Sequence, residues 1–217
     1  MPTVLATKKL TENQRSLLLN AGISLVEYNA IKIEFIPFEV PATIEKAIFT
    51  SQNAVNAVMS YELGVSSCFC VGEKTSQLLD DNGFSVIKMT EYASELADYL
   101  VKNHKGEAFH FFCGNIRSDE IPSKLKENNI AFEEIEVYKT MLAPKKFDTM
   151  FNAILFFSPS AVRSYISENK MNAAKIICIG TTTASEAKKY TENVLISKTT
   201  TVESVIEKAI KALREIS

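Results

Sequence analysis

The chain has 217 residues, of which 46% are hydrophobic and 23% are charged, a composition typical of a globular protein that buries a substantial core. Its net charge of −2 leaves no basic excess for neutralising phosphates, so neither nucleic acid nor a membrane surface is expected as a partner. No apolar run approaches the roughly 18 residues that span a bilayer, and the N-terminus lacks a signal-peptide pattern, which predicts a cytoplasmic protein.

Short runs of β-branched and aromatic residues alternate with amphipathic segments, the pattern of parallel sheets with crossover helices. A strand is predicted at residues 3–7. The following helix is expected to begin after Thr11, because Thr11 and Gln14 have the spacing of a capping box. It should end at Gly22, before a second strand at residues 23–28.

Two long extended runs, residues 30–38 and 132–142, flank the middle of the chain. Strands are predicted between them at residues 47–50, 66–71, 84–89 and 108–113, with the start of the second run as a fifth. After the second run, strands are predicted at residues 153–157, 175–179 and 193–197, which with the two N-terminal strands also make five.

This order of segments predicts an α/β fold of two pseudo-symmetric, parallel-sheet domains of flavodoxin-like type. The first domain is expected to be discontinuous, residues 1–30 and 142–217, with the second, residues 36–136, inserted into it. A two-stranded β connector, residues 31–35 and 137–141, is expected to join them.

The two predicted domains carry similar motifs. Residues 49–55, FTSQNAV, return as residues 156–162, FFSPSAV, and residues 70–75, CVGEKT, return as residues 178–183, CIGTTT. In each copy an apolar run passes through a turn rich in Ser, Thr or Gly into a helix-like segment. The repetition predicts twin domains that hold a large ligand in a cleft from both sides.

The repeated turns are expected at the carboxyl ends of parallel strands, where ligands of open sheets bind. Each helix that follows begins with unpaired, partly positive N–H groups, which together with hydroxyl groups can bind anions. The alternative function of the serine and threonine residues in these turns is simple helix capping. Lys8 follows the first strand, and the alternative there is an ordinary surface lysine. The candidate substrate-binding residues are Lys8, Ser51, Asn53, Thr75, Ser158, Ser160, Thr182 and Thr183.

A fifth turn, CGNIRSDE, adds Asn115 and Arg117 to the candidate substrate-binding residues. Arg117 is a permanent cation that can bind a carboxylate in bidentate fashion. Pairing of Arg117 with the neighbouring Asp119 or Glu120 is an equally good interpretation of the sequence.

Metal-binding and strong acid–base motifs are scarce. All four cysteines lie in apolar, strand-like runs, where cysteine usually packs as a small hydrophobe, and neither histidine has zinc-motif spacing to them. Metal or redox chemistry at Cys68 and Cys70 is the alternative. We therefore expect no bound metal and no cofactor, and an enzyme built here would act by positioning and hydrogen bonding.

Tyr138, in the motif VYKT of the second extended run, is the candidate catalytic residue. A phenol can donate a hydrogen bond or a proton to a leaving hydroxyl group at neutral pH. Spacing alone would favour the alternative, a tyrosine that packs at a hinge.

Taken in order, these segments resemble the uroporphyrinogen-III synthase family over most of the chain. The motifs that carry the resemblance are Thr50-Ser51 with Ala54-Val55, Val71-Gly72 with Thr75, Cys113-Gly114-Asn115, Val137-Tyr138-x-Thr140, Phe157-Ser158-Pro159-Ser160 and Ile179-Gly180-x-Thr182-Thr183. Lys8 and Asn53 stand where some members of the family have arginine, and residues 29–31 lack a proline common there.

The resemblance implies two α/β domains joined by a two-stranded ladder, and a cofactor-free, monomeric carbon–oxygen lyase of haem biosynthesis. Its substrate would be hydroxymethylbilane, a linear tetrapyrrole with eight carboxylates, which the family closes to uroporphyrinogen III with loss of water and inversion of the terminal ring. By the same resemblance Tyr138 would assist loss of the hydroxyl group, and Ser51, Thr75, Ser160, Thr182 and Thr183 would line the cleft.

Two other functions are compatible with the residues. A non-catalytic two-domain module that binds a small anionic ligand would use the same turns. A sugar-phosphate isomerase is less well supported, because no well-placed His/Glu pair is evident in the sequence.

Overall fold

The computed structural model describes residues 1–41, 43–61, 63–171 and 173–214. The chain forms two compact units, Met1–Lys32 with Met141–Ser217, and Ile33–Thr140. Both contain parallel sheets covered by helices, so the predicted class, α/β with two parallel-sheet domains, is confirmed. None of the described helices has the length and apolar character needed to cross a membrane.

The secondary-structure elements alternate along most of the chain. In order they are β1 Thr3–Ala6, α1 Glu12–Asn20, β2 Ser24–Glu27, β3 Ile31–Phe35, β4 Thr43–Phe49, α2 Gln52–Val58, β5 Gly64–Val71, α3 Glu73–Asp81, β6 Val86–Thr90, α4 Ala93–Asn103, β7 Ala108–Gly114, α5 Glu120–Glu127, β8 Ala131–Leu142, β9 Ala153–Phe156, α6 Pro159–Ile166, β10 Lys175–Cys178, α7 Thr181–Ala187, β11 Val194–Ile196 and α8 Val202–Arg214.

The first unit is a five-stranded parallel sheet in the order β11-β10-β9-β1-β2. All four residues of its central strand β9 are buried. Because alternate side chains point to opposite sides of a strand, both faces of β9 are covered. Ile154 and Phe156 pack with α6 and α7, whereas Ala153 and Leu155 pack with α1 and α8. Two cores therefore sandwich the sheet and fix the positions of its strand ends.

The start of α1 follows the sequence prediction. Thr11 Oγ1 accepts the Gln14 N–H at 3.4 Å, and Gln14 Oε1 accepts the Thr11 N–H at 3.0 Å. These two bonds form the capping box, which satisfies N–H groups that the first helical turn leaves without intrahelical partners.

The second sheet has six strands in the order β3-β8-β7-β4-β5-β6: the five expected and β3, which the sequence predicted as a connector strand. β8 runs unbroken through twelve residues, since no Gly or Pro interrupts AFEEIEVYKTML, and β3 lies beside it as the edge strand. The Ile36 N–H donates to the Val137 carbonyl at 3.1 Å, and the Ala143 N–H donates to that of Ala30 at 2.9 Å, an antiparallel arrangement.

A bulge interrupts the pairing of β7 with β8. Cys113 lies opposite Glu136, but Gly114 lies opposite Tyr138, so Val137 is an extra residue in β8. Strict alternation would place Tyr138 on the face opposite to Val137. Because of the bulge, both side chains pack into the core that contains Ile135. The bulge thus decides which face of the sheet carries the tyrosine.

Candidate active site

Ser51 and Tyr138 meet at the carboxyl edge of the second sheet. Ser51 follows β4 and is the N-cap of α2, where its extended backbone lets Oγ accept the Ala54 N–H at 3.2 Å. The same Oγ lies 3.1 Å from the hydroxyl oxygen of Tyr138, which is 7% exposed. Two predicted site residues from distant parts of the chain therefore share a hydrogen bond.

Gly114 leaves room for the tyrosine ring. A Cβ atom at this position would lie 2.5 Å from both Cε2 and Cζ of Tyr138, far inside van der Waals contact. Only glycine therefore allows the backbone of β7 to approach the ring this closely. Gly114 belongs to one of the motifs noted in the sequence, but this role was not predicted for it.

Asn115 fixes the path of β8 beyond the tyrosine. Its Oδ1 accepts the Thr140 N–H at 2.8 Å, and its own backbone N–H donates to the Tyr138 carbonyl at 3.2 Å. The side-chain amide also donates to the Thr140 carbonyl at 3.4 Å. All three of these hydrogen bonds join Asn115 to the strand that carries Tyr138.

Arg117 lies on the other face of the same sheet. Its guanidinium donates to Glu134 and, at 2.9 Å, to Asp119. Glu134 precedes Ile135 in β8 and so points away from the face on which Tyr138 packs. The structure therefore shows the pairing of Arg117 with Asp119 that the sequence allowed. The second partner is Glu134 and not Glu120. Arg117 is not brought to Ser51 and Tyr138.

Thr75 and Asn53 lie in the first turns of α3 and α2. The strands that precede these helices, β5 and β4, are parallel neighbours, so both turns are at the same edge of the sheet. Thr75 is 5% exposed and Asn53 is half-buried. Neither side chain makes a hydrogen bond to another residue within the described ranges, which leaves both polar groups available to a ligand.

The first unit repeats this arrangement after β9. Ser158 is the N-cap of α6, and its Oγ accepts the Ala161 N–H at 3.1 Å, as Ser51 accepts that of Ala54. Ser160 is 7% exposed, and its Oγ accepts a hydrogen bond from Arg163 Nη2 at 3.2 Å. Because both serine oxygens act as acceptors inside the protein, both hydroxyl protons are free to be donated.

Arg163 is a functional candidate that was not predicted from the sequence. Its Nη1 lies 3.4 Å from Glu186 Oε2, which also binds Lys189 Nζ at 2.7 Å. Glu186 is 8% exposed, so its charge is compensated mainly by these two cations, and the cluster keeps a net positive charge beside Ser160. The sequence signal that could have indicated Arg163 is a basic residue three positions after Ser160.

Thr182, Thr183 and Lys8 complete the turns of the first unit. Thr182 is exposed and Thr183 is buried in the first turn of α7, whose N-cap, Gly180, has no side chain to cap the helix. Lys8 is exposed after β1, and its Nζ lies 5.8 Å from the ring centre of Phe157. β1 and β10 flank β9, so all three turns lie at one edge of this sheet.

The cysteines are placed for packing. All four are buried and free, and burial raises the pKa of the Cys68 and Cys178 thiols to about 12 and that of Cys113 to about 11. These thiols stay protonated at neutral pH, and a thiol in that form is a poor nucleophile. Among the described residues, no three His, Cys, Asp or Glu side chains are grouped so that they could hold a metal ion.

Comparisons of the sequence and of the fold with known proteins indicate the same family. A family model described as uroporphyrinogen-III synthase HemD matches residues 13–207. The porphyrin biosynthesis protein HemD of Ruminiclostridium josui is 24% identical over 237 residues, which cover 93% of this chain and 45% of that protein. The chain thus spans about half the length of the curated relative that it matches.

Two solved structures share the fold. The uroporphyrinogen-III synthetase of Helicobacter pylori superposes with a TM-score of 0.73 at 17% identity, covering 98% of this chain and 100% of that one. A mutant uroporphyrinogen III synthase of Thermus thermophilus gives a TM-score of 0.69 at 13% identity, covering 99% and 100%. At these identities the likeness concerns the fold alone.

Proposed function

The chain belongs to the uroporphyrinogen-III synthase family, and we propose that it is a lyase of haem biosynthesis that closes hydroxymethylbilane to uroporphyrinogen III. The observation that carries the proposal is the buried Tyr138 hydroxyl, held 3.1 Å from Ser51 at the start of a helix. A phenol placed there can protonate a leaving hydroxyl group, which is the chemistry that loss of water requires.

Substrate carboxylates are proposed to bind at the starts of the helices that follow the strands. The hydroxyl groups of Ser158 and Ser160 keep a proton to donate, because their oxygens accept hydrogen bonds from within the protein, whereas that of Ser51 also meets the hydroxyl group of Tyr138. Each charge-assisted hydrogen bond contributes roughly 1.5–3 kcal/mol. Several acting together would hold a flexible polyanion in one pose despite the net charge of −2. The proposed substrate-binding residues are Lys8, Ser51, Asn53, Thr75, Asn115, Arg117, Ser158, Ser160, Thr182 and Thr183.

Two members of that set have partners that a substrate would have to displace. Arg117 is bound by Glu134 and Asp119, and Asn115 by the backbone of Thr140. A carboxylate bound at Arg117 would therefore compete with two carboxylates of the protein. Among the described residues, no carboxylate of the protein binds the serine and threonine hydroxyl groups at the helix starts, so the proposal rests more heavily on them.

Control of the substrate pose is enough to select the product. The family's substrate also closes unaided, without inversion of the last ring. Favouring the inverted product a hundredfold requires a bias of only about 2.7 kcal/mol between the competing paths. One or two hydrogen bonds made only in the inverting pose can supply a difference of this size.

The proposed activity is tested by supplying hydroxymethylbilane made in situ and separating the isomer III and isomer I products by chromatography. We expect isomer III with the protein present and isomer I without it. Isomer I alone in both samples would overturn the proposal. If the protein then still bound the tetrapyrrole, a non-catalytic module for an anionic ligand would be the better description.

Arg163 is expected to strengthen substrate binding without taking part in the chemical step. In the variant Arg163→Gln, KM should rise about tenfold while kcat stays within about twofold, because one charge-assisted contact is lost. Lys189→Gln is the matched control, since it removes a cation from the same Glu186 carboxylate but none from Ser160. Equal changes in KM for the two variants would contradict this prediction, because substrate binding would then depend on the net charge of the cluster and not on a contact of Arg163. Thermal melting of both variants checks that they fold.

A further inference from the structure

We propose that Ser51 is a positioning residue whose hydroxyl group turns the Tyr138 proton toward the substrate. This inference rests on the proposed function and assigns Ser51 a role beyond helix capping and substrate binding. It depends on the order of the hydrogen bonds at the start of α2, on the fixed position of the tyrosine ring, and on the difference between the two matched turns.

The hydrogen bonds at Ser51 can form a chain from the helix start to the tyrosine. Its Oγ accepts the Ala54 N–H at 3.2 Å, so one lone pair is engaged and the hydroxyl proton is free to be donated. The hydroxyl oxygen of Tyr138 lies 3.1 Å away, and the geometry allows either hydroxyl group to be the donor. When Ser51 donates to that oxygen, the phenolic proton points away from Ser51. The tyrosine can then donate it to a substrate oxygen.

The ring of Tyr138 has little freedom to escape this arrangement. The bulge at Val137 turns it into the core, Gly114 packs against its edge, and only 7% of the residue is exposed. Its backbone is held by the Asn115 N–H at 3.2 Å. Since the ring is fixed on these sides, the direction of the phenolic O–H is the main freedom that remains, and Ser51 controls it.

The first unit shows that capping alone does not require such a pair. Ser158 caps α6 with nearly the same geometry, accepting the Ala161 N–H at 3.1 Å. The neighbouring polar partner there is Arg163, which donates to Ser160, and no tyrosine hydroxyl bonds to Ser158 among the described residues. The second unit thus combines an ordinary cap with an additional contact to a proton donor.

The contact between Ser51 and Tyr138 supports both the loss of the tyrosine proton and its later return. The Tyr138 proton passes to the hydroxyl oxygen of the substrate, the C–O bond breaks, and its electron pair leaves with the departing water. The Ser51 hydroxyl, whose oxygen is polarised by the helix start, donates to the phenolate that forms. In the closed macrocycle a carbon–carbon bond replaces the hydrogen on the free α-carbon of the terminal ring, and the proton released there restores the phenol.

Steady-state kinetics of Ser51 variants test the inference. Ser51→Ala should lower kcat about tenfold with KM changed by less than about threefold, and Ser51→Thr, which keeps the hydroxyl group, should restore most of kcat. In a Tyr138→Phe background, Ser51→Ala should cost nothing further in kcat, since Ser51 acts through the phenol. Unchanged kcat in Ser51→Ala, or the same tenfold loss whether or not the Tyr138→Phe substitution is present, would overturn the inference.

Two further variants separate orientation from capping. Ser51→Asp keeps an efficient N-cap but offers only acceptor oxygens, so it should fold normally while lowering kcat at least as much as Ser51→Ala. Thr11→Ala removes the cap of α1, which belongs to the first unit and not to the unit that carries Ser51 and Tyr138, and should leave kcat unchanged. Full kcat in Ser51→Asp would contradict the inference. Formation of isomer III by the wild-type protein is a separate measurement, so failure of the proposed function would be recognised independently.

Discussion

Replacing Tyr138 with phenylalanine is expected to lower kcat for isomer III formation about a hundredfold while KM changes little. The substitution removes one oxygen and keeps the ring that packs against Gly114 and the core. General acid catalysis typically contributes about 10²–10⁴-fold to a rate. Because the unaided reaction continues in solution, the fraction of isomer I in the product should rise as the enzymatic rate falls.

The measurement combines initial rates with chromatography of both isomers at several substrate concentrations. Tyr190→Phe is a suitable control, since Tyr190 is 45% exposed and lies outside the proposed site. It should retain full kcat and full isomer III selectivity. If Tyr138→Phe also kept full kcat, the phenol would have no catalytic role. Selection of the product would then rest on control of the substrate pose by the helix starts.

Local signals in the sequence were sufficient for many of the elements. The capping box at Thr11 needed only two side chains three residues apart, and both bonds are present. Ser51 and Ser158 cap their helices as serines after apolar runs commonly do. The repeated motifs also placed these turns at strand ends, because a strand followed by a helix start is a local pattern.

The non-local contacts of the site could not be inferred in the same way. The bulge in β8 depends on how two separate strands pair, and VYKT carries no Gly or Pro that would reveal it. The contact of Ser51 with Tyr138 depends on that bulge. The pairing of Arg163 with Glu186 likewise joins two helices that the sequence could place in order but not in contact.

The partner of Arg117 could not be predicted from the composition of its turn. The motif offered a cation beside a strand end, and the sequence allowed either a ligand or a neighbouring carboxylate as its partner. The structure pairs it with Asp119 and with Glu134, a residue of the adjacent strand. Strand alternation sets Glu134 on the face away from Tyr138, and Arg117 pairs with Glu134, an arrangement that depends on the register of β7 and β8.

The twin turns have become chemically different while keeping the same backbone plan. Both units begin a helix with a serine cap, and both follow it with a second helix start after a Gly. In the second unit the cap serine also meets the hydroxyl group of Tyr138, and in the first unit the neighbouring serine accepts a hydrogen bond from Arg163. Under the proposed function, we expect the second unit to serve proton transfer and the first to serve anion binding.

Replacing Gly114 with alanine is expected to reduce both stability and activity, because the new Cβ would lie 2.5 Å from two ring carbons of Tyr138. Relief of this overlap requires the ring or the strand to move by about an ångström. Overpacking of this kind costs typically about 1–3 kcal/mol in the free energy of unfolding. A displacement of about 1 Å in a catalytic group can lower kcat about a hundredfold.

A double-mutant cycle assigns the stability loss to the ring. Tyr138→Ala creates a cavity beside Gly114, so in that background Gly114→Ala should cost nothing in the free energy of unfolding, measured by denaturant titration. The coupling between the two substitutions should therefore be as large as the cost of Gly114→Ala alone and opposite in sign. An equal cost in both backgrounds would place the strain in the backbone of β7. In that case the glycine would serve the bulge itself, and the position of the tyrosine hydroxyl would have to be set by Ser51 and Asn115 without it.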